Sequence, residues 1–112
     1  LGFFFTHLLL KALRATMIDR ASARSYLELT TDFWTAYLAR SSANQTPESH
    51  LIPRACLHTA ACCLARVDGK SPVEYLDAEM QSIVRSFACK VLKSAPATWA
   101  ELLSAFAACM DR

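Results

Sequence analysis

Apolar residues return every three or four positions through most of the chain, and this period predicts helices rather than strands. A first helix is expected over about Gly2 to Ile18. Phe4 and Leu8 begin its stripe, and Leu9, Leu10 and Leu13 then alternate with Lys11 and Arg14. It is apolar on most sides at its start and more amphipathic later. A second helix, capped by Ser22 or Ser25, is expected to reach about Arg40, with Tyr26, Leu29, Phe33 and Tyr37 in one stripe and Leu27, Trp34 and Leu38 widening it. The polar stretch "SSANQTPES", Ser41 to Ser49, breaks the pattern and reads as a loop, with Thr46-Pro47 as cap and first helical residue of the next element. The third helix, from near Glu48 to Val67, carries Pro53 close to its start and then small residues, Ala55, Cys56, Ala60, Ala61, Cys62 and Cys63. Small side chains admit a close neighbour, so this helix is expected to be the most buried.

The best-marked joint is "ARVDGKSPVEYL", Ala65 to Leu76. Gly69 suits a left-handed position after a helix end. Ser71-Pro72-Val73-Glu74 has the form of a capping box with proline at the first helical position. A short helical turn anchored by Tyr75 and Leu76 is therefore expected here. Asp77 then caps a fourth helix over about Ala78 to Lys93, whose Met80, Ile83, Val84, Phe87, Val91 and Leu92 form one stripe. Thr98-Trp99-Ala100-Glu101 repeats the capping-box logic and starts a fifth helix with Trp99, Leu102, Leu103 and Phe106 on one face. The fold class is all-α: about five helices in an orthogonal, irregular bundle, forming one domain over residues 1–112.

Composition narrows the function classes. With 54% hydrophobic and 20% charged residues among 112, the chain has enough apolar material for a core and is not a disordered one. Net charge is +2 with the signs interspersed, and aromatics sit inside apolar runs rather than among lysines. That is not the footprint of a nucleic-acid binder. The opening run "LGFFFTHLLLKAL" lacks the basic start of a signal peptide, and His7 and Lys11 interrupt it before the ~20 apolar residues of a membrane span. It reads as starting inside a longer chain. Five cysteines, Cys56, Cys62, Cys63, Cys89 and Cys109, lie in alanine-rich helical segments without CxxC spacing. They are expected to be reduced core residues of a cytoplasmic protein. Asn44-Gln45-Thr46 matches a glycosylation triplet, against which the reduced cysteines weigh.

Chemistry-bearing residues are few. His58 and Cys62 share a helical face, but a zinc site needs about four ligands and no second pair stands at ligand spacing. A partly buried histidine over a small thiol is the expected arrangement. His7 beside Thr6, and Phe4 and Trp34 with Phe33 and Tyr37, are the candidates for lining a small-molecule site, with ordinary core packing as the competing account. There is no glycine-rich phosphate loop, no GxSxG, no HExxH and no His-x-Asp. No metal or cofactor site is expected in this chain.

"LGFFFTHLLLKAL", followed about fifty residues on by "LARVDGKSPVEYL", resembles the C-terminal part of bacterial phosphotransferases of the aminoglycoside phosphotransferase and choline-kinase-like family. "ATWAELLSAFA" is similar to that family's last helix. The resemblance spans nearly the whole chain and implies the helical C-terminal subdomain of a protein-kinase-like fold. It implies ATP and Mg²⁺ bound by the remainder of a parent chain, a small-molecule phosphate acceptor, and a cytoplasmic location. Neither a nucleic acid nor a membrane is implied as a partner. The family's nucleotide-binding strands, catalytic Asp and metal-binding Asp would all precede Leu1, so no catalytic residue carries over. The first helix, with His7 and Phe4, and Trp34 beside it, becomes the expected place for substrate contacts. The alternative is an all-α interaction or dimerisation module without enzymatic activity, which a large exposed apolar face would favour.

Overall fold

Five helices and no strand are present among residues 1–41 and 48–111, which the computed structural model describes: α1 (Gly2–Ala15), α2 (Arg20–Ser41), α3 (Glu48–Asp68), α4 (Ala78–Ser94) and α5 (Trp99–Met110). The all-α reading holds, and the helix bounds fall within three residues of the expected ones except at the start of α2, which precedes the Ser22 alternative by three residues and the Ser25 alternative by six. The Thr46-Pro47 helix start and the Asn44 triplet lie outside the described residues.

The centre belongs to α1. Nine of its fourteen residues are buried, against six of the nineteen α3 residues whose burial is described, so α1 and not the small-residue helix is the most enclosed element. It packs against α2 on one side and α3 on another, and also meets α4; α4 in turn covers α3 and carries α5. The physical reason is side-chain size. Phe5, Leu9, Leu10 and Leu13 are fully or almost fully buried and carry far more apolar area than the alanines and cysteines of α3. Each such side chain gains roughly 1.5–3 kcal/mol on leaving water. Small residues let α3 come close, but large ones decide which helix is surrounded. From α4 and α5, Val84, Phe87, Val91, Leu102 and Phe106 close the same core, with Phe87 and Phe106 edge to face at 5.0 Å.

Helix ends follow side-chain chemistry. Asp19, rather than Ser22 or Ser25, holds the start of α2: one carboxylate oxygen accepts from the Ser22 N–H at 2.7 Å and the other from its hydroxyl at 2.8 Å. These bonds hold the Asp19 carboxyl below its ordinary value. Asp77 accepts from the Met80 N–H at 2.9 Å and Thr98 from the Glu101 N–H at 3.2 Å, so both expected caps form. Glu101 reaches back to the Ala97 N–H at 2.9 Å, one residue earlier than a strict capping box. Ala95, with φ 46°, takes the left-handed position after α4 although it is not a glycine.

At the joint the expectation fails in two ways. Residues 70–77 form no helix, and α4 begins only at Ala78. Ser71 caps nothing; its carbonyl instead accepts from Arg66 Nη1 at 2.7 Å, and the Arg66 carbonyl accepts from the Val73 N–H at 2.8 Å. The tertiary contacts explain the choice. Arg66 of α3 bonds residues 71 and 73 through its side chain and its carbonyl, and this holds a non-helical path on which Val73 and Leu76 both reach the core. Gly69 has no positive φ. Its missing side chain serves close approach, because a Cβ there would collide with the Ala65 carbonyl oxygen, itself bonded to the Gly69 N–H at 2.9 Å. Asp68 and Arg85 clamp the joint to α4, with Arg85 Nε 2.9 Å from both carboxylate oxygens and Nη2 2.8 Å from one.

Candidate functional site

The rings of α1 and α2 meet at the N-terminal end of α1. Phe5, fully buried, lies between Trp34 at 5.7 Å and Trp99 at 4.3 Å, measured between ring centroids. Trp34 stacks on Tyr37 at 6.0 Å and on Trp99 at 5.9 Å. Phe4 tilts over Phe33 at 4.3 Å, and Phe33 stacks on Tyr37 at 6.4 Å. One connected aromatic cluster results, buried at Phe5, Trp34 and Trp99 and open to solvent at Phe4, which is 42% exposed. The Trp99 indole N–H is buried without a partner among the described residues.

Beside this cluster a cleft of about 410 Å³ opens between the start of α1, the end of α2 and the first turns of α3, bordered by Gly2, Tyr37, Leu51, Arg54 and His58 among others. Its floor is set by close helix contact. A Cβ on Gly2 would stand 2.7 Å from His58 Nδ1 and 2.9 Å from the Thr59 backbone nitrogen, so only glycine lets α1 lie this near α3. One turn deeper, the Thr6 hydroxyl donates between the Gly2 carbonyl at 2.7 Å and the Thr59 carbonyl at 3.1 Å, and the Cys63 thiol donates to the Thr6 oxygen at 3.9 Å. Burial pushes the Cys63 thiol up to about 12, against a smaller opposing effect of Thr6. It is a packing residue, not a nucleophile.

Two of the three expected site residues, Phe4 and Trp34, belong to the ring cluster, next to the cleft rather than on its lining. His7 is not joined to it; its ring meets the edge of Phe3 at 4.6 Å on the neighbouring part of α1. Sequence reasoning linked Tyr37 to this wall, missed Arg54, and weighed His58 only as a metal ligand beside Cys62. Their i, i+4 spacing gives them one helical face, but the face that matters is set by where Gly2 lies. His58 is exposed rather than partly buried, with Cys62 half-buried one turn on. No group of three potential metal ligands occurs among the described residues. Among those residues, no side-chain hydrogen bond ties Tyr37, Arg54 or His58 to a base, an acid or a nucleophile. The cleft offers recognition: one guanidinium, one imidazole and one phenol around an apolar floor.

No protein-family model matches the chain, and neither a curated protein nor a solved structure matches it. No helix among the described residues is long and apolar enough to cross a membrane.

Proposed function

We propose that this chain is the helical, substrate-side subdomain of an ATP-dependent small-molecule phosphotransferase of the aminoglycoside phosphotransferase and choline-kinase-like class, and that by itself it does not turn over ATP. The observation that carries the reading is the meeting of the two stretches on which the resemblance rests. Leu9, Leu10 and Leu13 of the first stretch share one core with Val67, Val73 and Leu76 of the second. Segments some fifty residues apart thus act as mutual packing partners, and this supports reading the two stretches as parts of one structural unit. In this reading ATP and Mg²⁺ are held by the remainder of the parent chain, and the acceptor approaches the aromatic end of α1 near Phe4, Trp34 and the cleft beside them. His7 extends that surface through Phe3. The parent is placed in the cytoplasm, where Cys56, Cys62, Cys63, Cys89 and Cys109 stay reduced.

A second reading, an all-α interaction module without activity, draws on Phe3 and Phe4, which are 56% and 42% exposed on adjacent positions of α1. The coding sequence upstream of Leu1 separates the two. A kinase lobe with a His-x-Asp loop, together with Mg-ATP-dependent phosphorylation of amino sugars or amino alcohols by the full-length product, is the expected result. An upstream region without such a lobe, or ATP turnover by the 112-residue chain alone, overturns the phosphotransferase reading.

A further inference from the structure

A second cleft, of about 270 Å³, lies at the opposite end of α1, where the turn into α2 faces the joint after α3. Lys11 and Arg14 reach it from one face of α1, three positions apart. Tyr26 from α2 and Tyr75 from the joint supply its ring walls, and Ile18 adds an apolar side chain that is otherwise 76% exposed. This gathering is tertiary: residues from 11 to 26 meet one at 75 only because Val73 and Leu76 seat the joint in the core.

The charge balance there is one-sided. Lys11 and Arg14 make no ion pair or side-chain hydrogen bond with any described residue. No carboxylate lines the cleft; Asp19, three residues before Ser22 of the lining, stands outside it with both oxygens bonded to Ser22. The carbonyls ending α1, which would repel an anion, are taken up as well: Leu13, Arg14 and Ala15 accept from the N–H groups of residues 16 to 19. Behind Tyr75 stands Arg66, whose positive charge opposes the upward push of burial on that phenol. Two free cations, two phenols and an apolar wall in a small concave space call for a ligand with two negative charges and a flat apolar body.

We propose that this cleft binds a small phosphate monoester carrying an aromatic or similarly flat group, with Lys11 and Arg14 holding the phosphate and Tyr26, Tyr75 and Ile18 packing on the ring. The site is distinct from the aromatic cleft at the other end of α1 and does not rest on the phosphotransferase reading. Volume fits this class: the cleft is just below the range of pockets that hold drug-sized ligands, so a single ring with its phosphate suits it.

The test is a ¹H–¹⁵N shift titration of the 112-residue chain with phenyl phosphate at pH 7.5 and low salt. Saturable shifts centred on Lys11, Arg14, Ile18, Tyr26 and Tyr75 are expected. Inorganic phosphate, without the ring, and phenylacetate, with one charge, should each bind several-fold more weakly. The exposed, unpaired Lys11→Gln/Arg14→Gln variant should keep its unfolding midpoint and lose at least about tenfold in affinity. Tyr75→Ala should lower phenyl phosphate to the level of inorganic phosphate. At pH 5, below the second phosphate pKa of about 6, wild-type binding should weaken. Shifts that do not saturate, or that centre elsewhere, overturn the assignment. So does a folded double variant that binds like wild type. Equal binding of phenylacetate and phenyl phosphate marks an unselective cationic patch and overturns it too.

Discussion

Thr6 and Thr59 join α1 to α3 through a single hydroxyl: Thr6 Oγ1 lies 3.1 Å from the Thr59 carbonyl oxygen while also facing its own helix's Gly2 carbonyl at 2.7 Å. Both threonines are fully buried, and Thr59 turns its own hydroxyl to the Ala55 carbonyl at 2.7 Å. Thr6→Val keeps the volume and removes the donor, and the Cys63 thiol loses its acceptor as well. A loss of about 0.5–1.5 kcal/mol is expected, read as a lower urea midpoint at unchanged slope. An unchanged midpoint would show that the hydroxyl adds nothing to helix packing.

The helix caps should respond differently from the serine at the joint. Asp77→Ala and Thr98→Ala each remove a side chain that accepts from a backbone N–H, and each should cost about 0.5–2 kcal/mol. Ser71→Ala should cost clearly less. Ser71 meets Arg66 chiefly through its carbonyl, which alanine retains, and the hydroxyl contact is long at 3.4 Å. Equal losses in the three variants would restore a capping role to Ser71.

Gly69→Ala adds only a methyl group, but it lands against the Ala65 carbonyl oxygen and within 3.1 Å of the carbonyl carbon. Since backbone rather than a flexible side chain is in the way, destabilisation should exceed the ~1 kcal/mol of a glycine change in relaxed surroundings. A thermal melt decides this. A stabilised Gly69→Ala protein would mean that the end of α3 relaxes freely.

Thiol reactivity should divide by burial. Cys56 and Cys63 are fully buried, and burial pushes their thiols up to about 11 and about 12, with Glu101 adding to the rise at Cys56. Raised values mean less thiolate at any pH below them, so both should label slowly in the native protein even at pH 8. Cys109 is buried too, whereas Cys89 is exposed. A thiol reagent at pH 8 should modify Cys89 quickly, Cys62 at an intermediate rate and the other three only in denaturant. Rapid native labelling at Cys63 would contradict the packing between α1 and α3.

The Asp68–Arg85 clamp predicts an acid-side effect. The Arg85 hydrogen bonds hold the Asp68 carboxyl below its ordinary value, so the pair stabilises the fold above the unfolded carboxyl's pKa of about 3.9. That contribution disappears as pH falls through the lower folded value. Arg85→Gln should therefore return the Asp68 titration, followed by carbonyl-carbon NMR, upward toward the ordinary range. The stability gap between wild type and variant should close as pH drops toward 2. A gap that widens in acid would show that Arg85 acts by some other contact.

Local signals in the sequence already determined much of this protein. The 3.6-residue period of α4 and α5, the Asp77 and Thr98 caps, and the pairing of Phe33, Trp34 and Tyr37 along one helix follow from spacing and side-chain chemistry, because they involve neighbours in the chain. Tertiary structure decided what spacing cannot carry. Ser71-Pro72-Val73-Glu74 has a helix-start pattern, yet one turn of helix gains little from its own nucleation, and the bonds of Arg66 to residues 71 and 73 hold another path. The small-residue run of α3 announced close packing, but Phe5, Leu9 and Leu13, with greater area to hide, took the centre for α1. Gly2 admits α1 to the His58 face of α3, and Tyr75 comes to Lys11 and Arg14, only once the helices are stacked. Both clefts are built from residues distant in sequence, and their geometry exists only where packed surfaces meet.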